Sequence, residues 1–551
     1  MPIPISGPTT ITEPGEYELV NDISGVTYIE GDGVIDILAN DVTLNGNGYK
    51  VVCSSSTIMG TAIYVGPYSN IRIYNVTCRG FIRGIHVHGG SYVNINNVNC
   101  INNYYGFLLT GSDNNTINNI TTNNGTYGMY VSNSNNNTMV NVTANNNLAG
   151  IYLRNLSNNN TILDSIVSNS AYGIFFDASN YNNVINITAD KSGKGMLLIS
   201  SNNNSIENST LSDNDVGIYL GHSNNNNITT VSFNNCGIYV RESYNNTVTD
   251  TIVNGKPLVY LENVDGNGMV INNAGQVILV NCRNITVRDV DLSNTTVGIQ
   301  LWSSELININ NIIANNNNWY GIDASFSFNN SIANSILNNN GWGGIYLWES
   351  RYNNITNSTM SNSYYGICLD TSNYNNITNV RAEYNEEGIW FFESYYNLIY
   401  NNYFNNIVNV SNYEDETWAN RWNIEKSPGK NIVGGPYIGG NYWGSPDGTG
   451  FSDLAVDSDG DGIADEPYII DSQNIDYYPL VKVPEEPEIT LPPPPLRLAP
   501  PPLPPLPREE RVIVEKQTEI RKIPVIPEEL FVYGALSAGM IPLILVLLKR
   551  K

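Results

Sequence analysis

The densest set of ligand-type side chains is Asp457-Ser458-Asp459-Gly460-Asp461-Gly462-Ile463-Ala464-Asp465. Carboxylates fall at the first, third, fifth and ninth positions of a loop. Gly462 takes the sixth, where the chain must turn sharply, and the Ile463 carbonyl takes the seventh. That order wraps hard oxygen donors around Ca2+. Tyr468 stands at the twelfth position, where an EF-hand carries a bidentate Glu, so the expected calcium site is modest in affinity and structural in role. A solvated acidic turn is the competing reading.

Three other groups carry possible chemistry. Strand alternation puts His86 and His88 on one face, where two imidazoles could share copper or zinc. Two ligands are too few for a tight site, and His222 lies about six coils away, so the pair is read as surface histidines. Asp213 and Asp215, with Gly221-His222 after them, are a faint match to glycan hydrolases, but the further Asp and Arg elements such enzymes use are missing. The third group is aromatic. Tyr130, Tyr152, Phe175, Tyr219, Tyr239, Tyr346 and Trp390 follow repeated glycines at one strand position, with Trp302, Trp348 and Phe392 two residues further on. If this file lies open on the outside, sugar rings or a flat partner can stack on it.

What positions these residues is a repeat. Gly128-Met129-Tyr130-Val131 returns as Gly150-Ile151-Tyr152-Leu153 and Gly173-Ile174-Phe175-Phe176, then at Gly195, Gly217, Gly237, Gly298, Gly321, Gly344, Gly366 and Gly388, with earlier copies at Gly84 and Gly106. A period of about 22 residues marks a solenoid. Apolar residues alternate within each copy, which makes it a strand, and the Asn-Ser clusters between copies are turn formers. No helix fits, and the Leu-x-x-Leu-x-Leu pattern of leucine-rich repeats is missing. The expected fold is all-β, a single-stranded right-handed parallel β-helix of about sixteen coils, each rising about 4.8 Å. Ile151 and Leu153 point inward, and stacked Asn side chains form amide ladders. Cys78 and Cys100 become neighbours in adjacent coils, which leaves a disulfide and a buried thiol pair both open.

Several phrases carry a resemblance. Ala39-Asn40-Asp41-Val42-Thr43-Leu44-Asn45-Gly46-Asn47-Gly48, Asn254-Gly255-Lys256-Pro257-Leu258, Gly440-Asn441-Tyr442-Trp443 and Asp476-Tyr477-Tyr478-Pro479-Leu480 are similar to segments of archaeal NosD-like, CASH-domain β-helix proteins. The resemblance spans residues 10–482 and implies the right-handed β-helix. It also implies either a factor handling copper for nitrous oxide reductase maturation or a plain surface protein, since family members include both.

Order along the chain follows. Residues 1–34 are expected to cap the rod, 35–410 to form the β-helix with irregular coils at 243–297, and 411–483 to form a C-terminal cap holding the Asp-rich loop. Residues 484–529 read as a proline-rich and charged stalk, because polyproline II is a semi-rigid spacer. Residues 530–551 read as a transmembrane helix, Leu530 to Leu548, with the basic tail Lys549-Arg550-Lys551. The basic tail places everything before Leu530 outside the cell, although no signal peptide is visible after Met1.

A net charge of -25 with only 14% charged residues excludes nucleic acid as a partner. Exported Asn-x-Ser/Thr triplets such as Asn75, Asn141, Asn186, Asn284, Asn354 and Asn376 are expected to accept glycans in part. The functional expectation is a membrane-anchored cell-surface rod that binds polysaccharide or envelope proteins without turnover. A β-helix lyase, hydrolase or epimerase and a copper-handling NosD-like factor are the rivals.

Overall fold

Backbone approach at the repeated glycine sets the architecture. An ideal Cβ on Gly173 would stand 2.4 Å from the Gly195 carbonyl oxygen, and one on Gly128 would stand 2.5 Å from that of Gly150. A side chain there would push the coils apart, so glycine recurs at this position through the middle of each column, and other residues (Val34, Ala62, Gln276, Asn409) take it only toward the column ends. Ile151, Ile174 and Met196 then stack in register inside, as do Leu153, Phe176 and Leu198, and all six are buried. The result, in a computed structural model that describes residues 1–26, 33–53, 60–412 and 419–482, is an all-β parallel solenoid of about 18 turns. The stretches expected as stalk (484–529) and transmembrane helix (530–551) lie outside the described residues.

There are more turns than the sixteen expected. Ile3–Ile5 already pairs in parallel with Gly15–Leu19, and Thr9–Ile11 with Ile35–Ile37, inside the stretch expected to be a cap. Among the described residues α-helix is confined to Phe451–Leu454, and none is long and apolar enough to cross a membrane.

Asparagine does two jobs. At the bends it takes the left-handed conformation, as at Asn136 (φ 56°), Asn141 (φ 51°) and Asn146 (φ 56°), which Asn tolerates better than other side chains. Inside, Asn137, Asn160, Asn182, Asn204, Asn226 and Asn246 form an amide ladder with Nδ2 to Oδ1 distances of 3.0, 3.2, 3.1, 3.1 and 3.1 Å. A second ladder joins Asn330, Asn353, Asn375, Asn397 and Asn420. Cys78 and Cys100 are register partners, both buried and both free, so they form a thiol pair rather than a bond.

The repeat strands change course at an elbow. One column of parallel repeat strands runs from Thr9–Ile11 to Ile238–Arg241 and stops. The chain then turns back through Asn254 (φ 51°) and Gly255 (φ 79°), which joins Ile252–Val253 to Lys256–Glu262 as an antiparallel hairpin. Positive φ at both central residues is the mark of the two-residue type I′ turn, for which Asn-Gly is the preferred pair. A second column starts with Lys256–Glu262 and continues through Gln276–Val280, Ile299–Trp302 and Tyr320–Ser325. Two large hydrophobic clusters follow this division, one reaching from Ile5 to Trp302 and one from Ile271 to Trp443, and a smaller one of Tyr403, Tyr442, Ile463 and Leu480 lies at the C-terminal end.

The open edge of Ile238–Arg241 is closed by side chains of the second column. Gln276 accepts from the Ile238 amide at 2.9 Å and donates to its carbonyl at 2.7 Å. Gln300 does the same for Val240 at 2.9 and 2.8 Å. Each glutamine amide replaces one backbone peptide of the missing next strand, which removes the exposed edge that would otherwise invite pairing with another chain.

Candidate functional site

The outward aromatic file is present but covered. Tyr152, Tyr219 and Tyr239 are buried, and Tyr130, Phe175, Tyr346, Trp348 and Trp390 are half-buried. Trp302, expected on the same exterior, is also buried. Rings placed once per coil shield one another: Tyr152 stacks on Phe175 at 4.5 Å with planes 1° apart, and Tyr130 meets Tyr152 edge-on at 5.2 Å. Their hydroxyls are engaged as well, Tyr152 with Asp177 at 3.2 Å and Tyr346 with Asp370 at 3.1 Å. Strand alternation gives the face correctly, but the expectation of an open stacking surface at these residues is corrected by this mutual cover.

At the elbow the two columns press their aromatic faces together. Tyr239 donates to Asp323 Oδ2 at 2.8 Å, Trp319 packs edge-on over Tyr239 at 4.7 Å, and Arg241 lies over the Trp348 ring at 4.8 Å. Asp323 is fully buried and also accepts from Ser325 at 2.8 Å. Burial pushes its carboxyl up to about 6, opposed by its two hydroxyl donors and by Arg241. Sequence reasoning missed Gln276, Gln300 and Asp323. The signal was a polar residue at the aromatic position of two successive copies, Gly298-Ile299-Gln300 and Gly321-Ile322-Asp323.

The Asp-rich loop brings together three of its five expected ligands. Carboxylate oxygens of Asp457, Asp459 and Asp461 lie within 4.8 Å of one another. Asp457 accepts from the amides of Gly460, Asp461 and Gly462, at 2.8, 3.1 and 2.8 Å. Gly460 (φ 73°) and Gly462 (φ 83°) supply the bends, at angles that side chains disfavour. Asp465 instead accepts from the Ser458 amide at 3.2 Å, Ile463 is buried against Leu480, and Lys426 pairs with Asp461. Behind the loop, Gly440-Asn441-Tyr442-Trp443 closes the rod. Asn441 accepts from Asn402 at 2.9 Å, Trp443 stacks on Phe404 at 5.1 Å, and both Asn441 and Trp443 donate to the buried Asp476. Burial raises the Asp476 carboxyl to about 7. A Cβ on Gly440 would stand 1.8 Å from that carboxylate, which explains the glycine.

His86 and His88 lie side by side with ring centroids 5.7 Å apart, and both share the Thr110 hydroxyl at 2.9 Å. Burial, with Arg83 and His88 nearby, lowers His86 to about 4. Asp213 is exposed and accepts from Asn235 at 2.8 Å, whereas His222 faces Glu242 at 3.2 Å, so the structure gives these two groups separate partners.

The family model described as periplasmic copper-binding protein (NosD) matches residues 21–186, 154–258 and 250–448. The chain belongs to the NosD family. Copper fits this NosD protein poorly at the described residues. There the one group of three metal-ligating side chains is the aspartate trio, hard oxygen donors that suit calcium better than copper. No curated protein matches the NosD chain. Among solved structures, the A-module of the Azotobacter vinelandii mannuronan C-5 epimerase AlgE6 is similar at 13% identity, over 69% of this chain and 88% of that one, with a TM-score of 0.26. The periplasmic alginate epimerase AlgG is similar at 10% identity over 67% and 78%, with a TM-score of 0.25. An alginate lyase from a Paenibacillus species is similar at 13% identity over 44% and 92%, with a TM-score of 0.22.

The elbow carboxyl makes stability depend on pH. Asp323 has a folded value of about 6 against an ordinary 3.8, so the folded protein holds this proton more tightly than the unfolded chain does. Stability from this group is therefore fully present below about pH 4 and is lost as pH rises through about 6. Asp323→Asn keeps the acceptor for Tyr239 and removes the titration. The difference in urea midpoint between wild type and variant is expected to change across pH 4 to 6, and parallel curves would contradict this.

Proposed function

We propose that this NosD-family β-helix is a non-catalytic binding rod outside the cytoplasm, engaging polysaccharide or envelope proteins along its side. One observation carries the reading. Asp323 and Asp476, the carboxyls displaced furthest toward neutral values, are both fully buried and hydrogen-bonded by protein donors, and the half-buried Asp370, raised by burial, is held by the Tyr346 and Thr371 hydroxyls. An acid or base that works on a polymer must reach it, so these groups serve the framework. The exposed surface is repetitive and carries bend asparagines coil after coil, the form suited to weak, multivalent attachment. Some triplet asparagines, such as Asn141 and Asn186, are exposed and would accept glycans in an export pathway that attaches them.

The proline-rich stretch and the apolar C-terminal segment would hold the rod at the cell surface. The aspartate trio would take one Ca2+, with Asp457, Asp459 and Asp461 as ligands, Lys426 giving way, and Asp465 and the Ile463 carbonyl completing the shell. The ion would brace the loop against residues 440–480. The copper reading rests on the family description, and the lyase, hydrolase and epimerase readings rest on the shared fold.

Two outcomes are expected. The purified rod should co-sediment with insoluble or cross-linked polysaccharide, and absence of retention on every neutral and acidic polymer tried would remove the glycan reading. Calcium should raise the melting temperature of the wild type by several degrees, about 1–2 kcal/mol of linkage at saturating ion. The double variant Asp459→Ala/Asp461→Ala should lose that increment. An equal melting temperature with calcium and with chelator would reduce the loop to an ordinary acidic turn.

A further inference from the structure

The exposed aromatic surface lies elsewhere from the repeat strands. Tyr352, Tyr374 and Tyr396 are spaced 22 residues apart and occupy the same bend of three successive coils. Their exposures are 56%, 47% and 63%. The rings stack at 5.4 and 5.2 Å with planes 15° and 17° apart, forming a continuous aromatic ridge on the second column.

This ridge has no explanation in the fold. All three residues have left-handed backbones, with φ of 59°, 59° and 58°. Other coils fill the same kind of bend with asparagine, as at Asn136, Asn159, Asn203, Asn225 and Asn329, at φ of 56°, 56°, 57°, 57° and 55°. Asn suits that conformation and a bulky ring does not. Three consecutive coils thus give up the locally favoured residue and leave large apolar surface in water. Strain kept at an exposed, repeated position points to a binding role.

The surroundings choose the ligand. Three residues ahead of each ring, Glu349, Thr371 and Glu393 form a parallel polar file at the neighbouring left-handed bend, with φ of 46°, 51° and 42°. Burial raises the carboxyl of Asp370, and Glu349 and Glu393 both add to the shift, which places them in one electrostatic neighbourhood. Two carboxylates beside the ridge, on a chain of net charge -25, repel a polyanion. Carboxylates are also strong acceptors for hydroxyl groups. Aromatic edges and faces for the apolar side of a ring, with acceptors for its hydroxyls, are the complement of an uncharged polyhydroxylated chain.

We infer that Tyr352, Tyr374 and Tyr396, flanked by Glu349, Thr371 and Glu393, form a binding ridge for a neutral polysaccharide lying along the second column, about one sugar unit per coil. This rests on the glycan-binding reading above and gives it a place and a ligand class.

The triple variant Tyr352→Asn/Tyr374→Asn/Tyr396→Asn tests it, because asparagine is the residue the bend accepts elsewhere. Wild type and variant are compared by affinity electrophoresis and co-sedimentation with a neutral β-glucan, a neutral mannan, pectate and alginate. The variant should keep or raise the wild-type melting temperature and bind the neutral polymers about tenfold or more weakly, the sum of three modest stacking contributions. Tyr92→Asn/Tyr181→Asn, lone exposed rings of the first column, should leave binding unchanged. Undiminished binding by the triple variant would overturn the ridge while leaving the glycan reading intact. Wild-type preference for pectate or alginate would overturn the ligand class. Retention on none of the four would overturn the ridge together with the glycan reading.

Discussion

Everything in this molecule depends on how closely one coil can lie on the next. Parallel strands need about 4.8 Å between backbones, and the repeated glycine is where that approach is tightest. Once the coils are that close, each inward side chain meets its equivalents above and below, and each buried asparagine can reach the next amide. The core and the ladders are consequences of one spacing. Both are one-dimensional, so stability is a sum of neighbouring contacts rather than the property of a single compact centre.

The same spacing explains why the outward rings are largely covered. An aromatic side chain is wider than the gap between coils, so neighbours overlap and bury one another. Tyr152 and Phe175 are the clearest case, lying face to face at 4.5 Å. A ring escapes this only at a bend, where the chain curves away from the strand face. Tyr352, Tyr374 and Tyr396 are at such bends, and they remain exposed although they too are stacked.

The repeat made the architecture legible: glycine spacing, alternation and asparagine turns led directly to a parallel β-helix with amide ladders. Alternation also assigned Tyr152 and Tyr219 to the outward face, but it carries no information on what covers that face. The elbow was half legible. Asn254-Gly255 is a strong local hairpin signal, whereas Gln276 and Gln300 act on Ile238 and Val240, 38 and 60 residues away. No periodicity reports a side chain that stands in for a missing strand. The Asp-rich loop was legible as a loop and as three converging carboxylates, but the separate engagement of Asp465 and the pairing of Lys426 with Asp461 depend on tertiary packing.

Asp323 and Asp476 are sealed inside the framework, and the proposal that the rod holds a polymer without changing it stands or falls on whether any turnover occurs. The most direct measurement is proton NMR of defined oligosaccharides, neutral and uronic, before and after prolonged incubation with stoichiometric protein and calcium. Binding without turnover predicts spectra that broaden on mixing and return unchanged when the protein is removed, with the same chain length, linkage and C5 configuration. New reducing ends, an unsaturated terminal ring or an inverted C5 centre would contradict it.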